Sequence, residues 1–87
     1  MSEWYRFPGD VSAAPTDEGV YMLAAGKVIV YVGRADNLRK RLLEHPDPNN
    51  PCLQRKNISY FAYEVTNNSQ RREQELINRH DPECNRT

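Results

Sequence analysis

The 87-residue sequence lacks several features that would assign it to a particular class of protein. Its apolar runs, such as residues 28–32, are far too short to cross a bilayer. The N-terminus has no basic segment followed by an apolar one, so no secretory signal is visible and a cytoplasmic location is predicted. The formal net charge is zero, which excludes a polycation that holds nucleic acid through bulk charge alone.

Cysteine is also scarce, with only Cys52 and Cys84 in the chain. Two cysteines do not make a disulfide scaffold, and without a CxxC pair they do not make a zinc site. We therefore expect two reduced thiols, as in a cytosolic protein.

The basic residues that are present are unevenly distributed. One cluster lies in residues 27–45 and comprises Lys27, Arg34, Arg39, Lys40 and Arg41. A second cluster comprises Arg71, Arg72, Arg79 and Arg86. Local basic patches on a neutral body suit a protein that meets phosphate at one place. The alternative is ordinary solvated surface charge.

The hydrophobic pattern predicts a small α/β domain at residues 19–87, after an N-terminal arm at residues 1–18 that packs its aromatic side chains on the core. Strands are predicted at 19–23, 28–33 and 58–65. Helices are predicted at 37–44, capped by Asp36 or Asn37, and at 69–80, capped by Ser69. The expected architecture is a three-stranded antiparallel sheet flanked by these helices.

The first two strands predict a hairpin with a three-residue loop, in which Gly26 takes the left-handed position. This register pairs Tyr21 with Ile29. It gives one aliphatic face, made of Val20, Met22, Val28, Val30 and Val32. Tyr21 and Tyr31 then share the other face as diagonal neighbours. Two neighbouring tyrosines are either stacked core aromatics or part of a site.

Two charged side chains have a helical phase that favours a chemical role. Arg41 follows one line of its helix with Asn37 and His45, separate from the apolar Leu38/Leu42 stripe, and could meet a phosphate there. Glu73 shares the inward stripe of the last helix with Leu76, whereas Glu75 faces outward. An inward carboxylate needs a cation, which can be a divalent metal or an arginine.

Taken together, these segments resemble the GIY-YIG nuclease family. Gly19-Val20-Tyr21 and Tyr31-Val32-Gly33 are similar to the two halves of the family signature. The stretch from Arg34 to Leu42 resembles the segment that carries the catalytic arginine. The run Glu73-Gln74-Glu75-Leu76-Ile77, followed by Pro82 and Asn85, resembles the closing segment of the domain. Within the family, the sequence most resembles the nuclease domain of excision-repair proteins and small stand-alone members. Arg34 departs from the lysine or threonine that is usual there.

The resemblance implies a metal-dependent endonuclease domain that hydrolyses DNA phosphodiester bonds. The implied catalytic residues are Tyr21, Tyr31, Arg41, Glu73 and Asn85. The implied DNA contacts are Arg34, Asn37, Arg39, Lys40 and His45. Glu73 would hold a divalent metal, Mg²⁺ or Mn²⁺, which keeps several waters. Either tyrosine could act as the base. The expected partners are DNA and a protein that supplies targeting, with no membrane. The alternative is a weakly catalytic or non-catalytic DNA-binding or adaptor module on the same fold.

Overall fold

Four antiparallel strands form a single sheet in the computed structural model, which describes residues 1–44 and 49–86. The strands are β1 (Tyr5–Arg6), β2 (Gly19–Ala25), β3 (Val28–Ala35) and β4 (Tyr60–Val65), in the spatial order β1-β4-β2-β3. The helices are α1 (Leu38–Leu43), α2 (Pro51–Gln54) and α3 (Ser69–His80), with short 3₁₀ turns at Val11–Ala13 and Glu83–Asn85. The α/β class is confirmed, and the sheet places β2 at its centre and β3 at one edge.

The prediction of three strands is wrong because a two-residue strand leaves no periodic signal in the sequence. β1 pairs with β4, where Tyr5 lies opposite Phe61. The two rings stack with their centroids 5.5 Å apart, and Phe7 meets Phe61 edge-on at 6.4 Å. The N-terminal segment therefore packs two aromatic side chains on the core, while Trp4 stays 44% exposed.

The predicted hairpin register is also wrong. β2 continues to Ala25, which pairs with Val28, and Tyr21 lies opposite Gly33 rather than Ile29. Gly26 does adopt the left-handed conformation, with φ 61°. Ala24 favours the longer strand because β2 is central and a small side chain fits between Tyr60 of β4 and Ile29 of β3.

A β-bulge between these strands divides the predicted aliphatic face. The register shifts between Leu23 and Ala24, so one residue of β3 has no partner there. Val30 consequently packs with Tyr21 rather than with Val20 and Val32, and Val28 is 64% exposed.

Two apolar layers hold the helices on opposite faces of the sheet. The layer beneath α1 and α2 is built around Tyr21, Leu23, Leu38, Leu42, Leu53 and Phe61. The layer beneath α3 is smaller and contains Val20, Met22, Val32 and Leu76. The strand alternation therefore decides whether a side chain of β2 or β3 faces α1 or α3. No helix in the described ranges has the length and apolar character needed to cross a bilayer.

The helix caps differ in how well they could be predicted. Asn37 caps α1 as expected, since its side chain accepts a hydrogen bond from the Lys40 N–H at 3.0 Å. The prediction that Ser69 caps α3 is wrong, because the N-cap residue is Asn68. Ser69 is instead buried in the first turn, where its hydroxyl donates to the Glu18 carboxylate at 2.7 Å. α3 ends at His80, and its C-cap residue Asp81 has a left-handed φ of 44°.

The two cysteines are joined, which corrects the expectation of reduced thiols. The disulfide Cys52–Cys84 links α2 to the 3₁₀ turn Glu83–Asn85 across 32 residues of sequence. Nothing in the local sequence signals this pairing, because it depends on the tertiary approach of two distant segments. Structural disulfides are rare in cytosolic proteins, so a cytoplasmic location stays a prediction.

We expect the double variant Cys52→Ser/Cys84→Ser to lose about 3–4 kcal/mol of unfolding free energy, because the link closes a loop of this length in the unfolded chain. Urea unfolding measures the loss. The wild-type protein in excess reductant provides the matched comparison and should unfold at the same urea concentration as the variant. A wild-type midpoint that does not move on reduction would contradict the prediction.

Candidate active site

Tyr21 and Tyr31 lie on one face of the sheet, as the sequence predicts. Tyr31 is two residues before Gly33, the partner of Tyr21, so the tyrosines are diagonal neighbours with ring centroids 6.1 Å apart. The Tyr21 ring is 2% exposed and belongs to the core beneath α1. Tyr31 is half-buried and lines an open cavity. Only Tyr31 therefore reaches solvent to an appreciable extent.

The glycines of the two signature tripeptides are explained by close approach. A Cβ on Gly33 would lie 2.5 Å from the Tyr21 hydroxyl oxygen, because the phenol crosses directly over that residue. A Cβ on Gly19 would collide with the Glu64 carbonyl oxygen of β4 and with a methyl group of Leu38. Both glycines thus allow the sheet and its first helix to pack closely around Tyr21.

Glu73 lies on the other face, where α3 packs on the sheet. Its side chain is 25% exposed, and its carboxylate is 3.5 Å from the guanidinium of Arg34. Arg34 reaches it because this residue pairs with Val20 and follows the strand face toward α3. Burial raises the pKa of the Glu73 carboxyl, and the charge of Arg34 acts against that shift.

The outward orientation predicted for Glu75 is confirmed. Its side chain is 50% exposed and forms ion pairs with Arg71 at 3.8 Å and Arg72 at 3.5 Å. The surface next to Glu73 is a shallow polar cavity whose other lining residues are Arg34, Asn68, Gln70, Arg71, Gln74, Glu75 and Asn78. Glu73 is thus a half-buried carboxylate that opens onto this cavity.

Residues 1–44 and 49–86 contain no metal centre rich in protein ligands. No group of three or more His, Cys, Asp or Glu residues converges in the part of the chain described. The chemistry of Glu73 still fits a magnesium ion, because Mg²⁺ prefers oxygen ligands and commonly binds through one or two carboxylates while keeping several waters. In such a site Arg34 and the ion would compete for the same carboxylate.

The side chain of Asn85 binds the backbone of β3. Its side-chain oxygen accepts a hydrogen bond from the Val32 N–H, and its side-chain nitrogen donates to the Val32 carbonyl, both at 2.8 Å. Val32 lies in β3, the edge strand, so the amide of Asn85 makes the bonds that a further strand would make. The family resemblance implied a catalytic role for Asn85, and the sequence did not reveal this contact.

The basic residues of α1 fall into two groups. Arg39 is half-buried, and its side chain donates to the Ala14 carbonyl at 2.8 Å, which ties the N-terminal segment to α1. Lys40 and Arg41 are exposed and border a shallow cavity together with Asn37. His45, which was expected to follow them, lies outside the described residues.

The candidate residues are distributed over both faces of the sheet around β3. Tyr31 and Arg34 are three residues apart on it and face opposite sides, and α1 begins three residues after its end. The tyrosines and α1 therefore lie on one face of the sheet, and the Glu73–Arg34 pair lies on the other.

The strand order, the helices on both faces and the Tyr21 ring over Gly33 define an α/β domain with the GIY-YIG type of fold. The GIY-YIG N-terminal endonuclease domain of UvrC from Thermotoga maritima, solved with its catalytic magnesium, matches with a TM-score of 0.71 and 24% identity, over 90% of this chain and 93% of that one. A tyrosine-to-phenylalanine variant of the same domain gives a TM-score of 0.72 at 22% identity, over 91% and 93% of the two chains. At these identities the likeness shows the fold.

The sequence comparison points to the same protein. UvrABC system protein C of Hydrogenobaculum sp. is 33% identical over 82 residues, which cover 86% of this chain and 14% of that protein. The corresponding protein of Deinococcus radiodurans is 44% identical over 36 residues, 41% of this chain and 6% of that protein. No protein-family model matches the chain. The resemblance found in the motifs is therefore confirmed: the chain has the fold of a small GIY-YIG domain and resembles the N-terminal domain of UvrC.

This chain spans about one seventh of the length of the Hydrogenobaculum protein. The activity, substrates and partners of the whole protein are therefore proposals for this chain.

We expect Gly33→Ala to lower the unfolding free energy by about 1–3 kcal/mol, the usual cost of overpacking, because the new methyl group meets a buried ring. Thermal or urea unfolding measures the loss. Gly9→Ala is the matched control, since a Cβ there has no atom within 4 Å. Equal stability of the two variants would contradict the packing of Tyr21 over Gly33.

Proposed function

We propose that this chain is a divalent-metal-dependent endonuclease domain that hydrolyses phosphodiester bonds of DNA. The observation that carries the proposal is the half-buried carboxylate of Glu73, which burial makes costly to ionise and which opens onto a surface cavity beside Arg34. Such a carboxylate is suited to a small hard cation. The likeness to a magnesium-bound UvrC domain supports this choice of cation.

Glu73 would hold Mg²⁺ or Mn²⁺, and the bound ion would supply positive charge to the phosphate oxygens and to the leaving oxygen. Arg41 would place a planar guanidinium on the same phosphate from the exposed face of α1. Arg34, Asn37 and Lys40 would add contacts to neighbouring parts of the DNA backbone.

Of the two tyrosines, Tyr31 is the one we assign to the attacking water. It is half-buried and borders open space, whereas Tyr21 is enclosed and holds the register. In the reaction, a water oxygen forms a bond to phosphorus, its proton passes to the base, and the bond from phosphorus to the leaving oxygen breaks. Asn85 would support this arrangement by holding the edge of β3.

A second candidate function is a DNA-binding or adaptor module that cleaves weakly or not at all. The contact between Arg34 and Glu73 favours it, since the arginine already neutralises the carboxylate that a metal would use. In either case DNA is the proposed partner, a protein partner would supply targeting, and DNA repair in the cytoplasm is the proposed context.

Cleavage assays on branched, nicked, single-stranded and double-stranded DNA, with Mg²⁺, with Mn²⁺ and with a chelator, distinguish the two functions. Metal-dependent cutting of any substrate supports the endonuclease. Binding of DNA without cutting under every condition would contradict it and support the module.

Glu73→Gln is expected to lower metal-dependent cleavage by at least ~100-fold, the size seen when one positioned charge-stabilising group is lost. DNA binding in chelator and thermal stability should stay nearly unchanged, because the amide keeps the shape of the side chain. Glu75→Gln removes a carboxylate two residues away on the exposed side and should be nearly silent. Equal losses of single-turnover rate in the two variants would contradict the assignment of Glu73 as the metal ligand.

Arg41→Ala is expected to lower the maximal single-turnover rate by at least ~100-fold, and Arg41→Lys should recover little, because one ammonium group does not replace the guanidinium fork. Lys40→Ala, the matched control on the same exposed cavity, should mainly weaken binding and reduce its salt dependence. Full recovery of the Arg41→Ala rate at saturating enzyme would make Arg41 a binding residue only.

Arg39→Ala belongs to a different class of variant. Its side chain is engaged with the Ala14 carbonyl, so we expect it to lower stability more than DNA affinity. It is therefore unsuitable as a charge control for Arg41.

A further inference from the structure

The cavity that Tyr31 lines is shared with segments outside the sheet. It has a volume of about 490 Å³ and lies between α2 and the C-terminal 3₁₀ turn. The side chains that matter for its chemistry are those of Tyr31, Arg55 and Arg86. Neither arginine belongs to the segments that resemble the GIY-YIG signature.

The walls of this cavity are held together by four contacts. Cys52 and Cys84 join them covalently, and the Asn50 side chain donates to the Cys84 carbonyl at 3.4 Å. Lys56 pairs with Glu83 at 2.9 Å, and Asn85 holds the turn to β3 through Val32. Arg55 on one wall and Arg86 on the other are thus carried by segments whose relative position is fixed.

Among the charged side chains that the structure describes around the cavity, one cation is in excess. Arg55, Lys56 and Arg86 face the carboxylates of Asp81 and Glu83. Arg86 contacts Asp81 at 2.9 Å, and Lys56 takes up most of the charge of Glu83, whose pKa it lowers with smaller contributions from Arg86 and Arg55. One surplus guanidinium on an open polar surface suits a single phosphate group better than a highly charged ligand.

We propose that this cavity is a binding subsite for a DNA backbone phosphate next to the scissile one, with Arg55 as its main contact and Arg86 as its second. The inference rests on the proposed function, because it treats Tyr31 as a residue of the cutting site.

Equilibrium binding of a labelled DNA oligonucleotide in chelator tests the subsite without any cutting. Loss of one phosphate contact at 0.1 M salt raises Kd about five- to tenfold and lowers the salt slope by about one. We expect Arg55→Ala to show this effect and Arg86→Ala a smaller one, since Asp81 already pairs with Arg86. Arg79→Ala removes the same charge from exposed α3 outside the cavity and is the matched control.

Asp81→Asn should change the DNA affinity in the opposite direction. It removes the carboxylate that holds Arg86, and asparagine tolerates the left-handed backbone at this position, so the helix end is preserved. We expect this variant to bind DNA more tightly than the wild-type protein, and to lose that gain when combined with Arg86→Ala.

The proposal is overturned if Arg55→Ala weakens binding no more than Arg79→Ala, or if Asp81→Asn fails to tighten it. A failure of the proposed function gives a different result. In that case no DNA would be cut with any metal, while the Arg55 and Asp81 effects on binding would persist. If cutting is observed, Arg55→Ala should change KM and leave the rate at saturation within about twofold of wild type.

Discussion

The packing of the Tyr21 ring over Gly33 is the contact on which the rest of the site depends. It sets the register of the central strand against the edge strand, since only a residue without a side chain leaves room for the phenol. With that register, Tyr31 lies beside Tyr21 and Arg34 is carried to the opposite face toward Glu73. A shift of one residue would exchange these faces and separate every candidate group from its neighbour.

The edge of β3 is the second organising feature. It is protected from pairing with another chain, and it anchors the C-terminal turn. An exposed strand edge invites pairing with another chain, and the amide of Asn85 blocks this at Val32. The same contact holds the C-terminal turn, and through the disulfide it also holds α2. One asparagine therefore contributes to closing the sheet and to shaping the surface beside Tyr31.

Electrostatics in this domain is local rather than global. The net charge is zero, and most described carboxylates near the site have a cationic neighbour. A neutral body avoids indiscriminate attraction to polyanions, whereas exposed arginines at defined places hold a phosphate with a chosen geometry. The pairing of Glu73 with Arg34 extends this balance to the proposed metal ligand, where cation exchange would accompany metal binding.

By itself, the sequence determined the α/β class, the positions of the main helices, the inward phase of Glu73 and the shared face of the tyrosines. These follow from periodicity and from spacing within single elements, which neighbouring residues encode. Only the tertiary structure decided the Cys52–Cys84 disulfide, the strand β1, the bulge at Val30 and the hydrogen bonds from Asn85 to Val32. Each of these depends on segments that are far apart in sequence, or on which of two close registers packs better. Neither kind of dependence leaves a local sequence pattern. The free energy that selects these four features is released only when the core around Tyr21 forms.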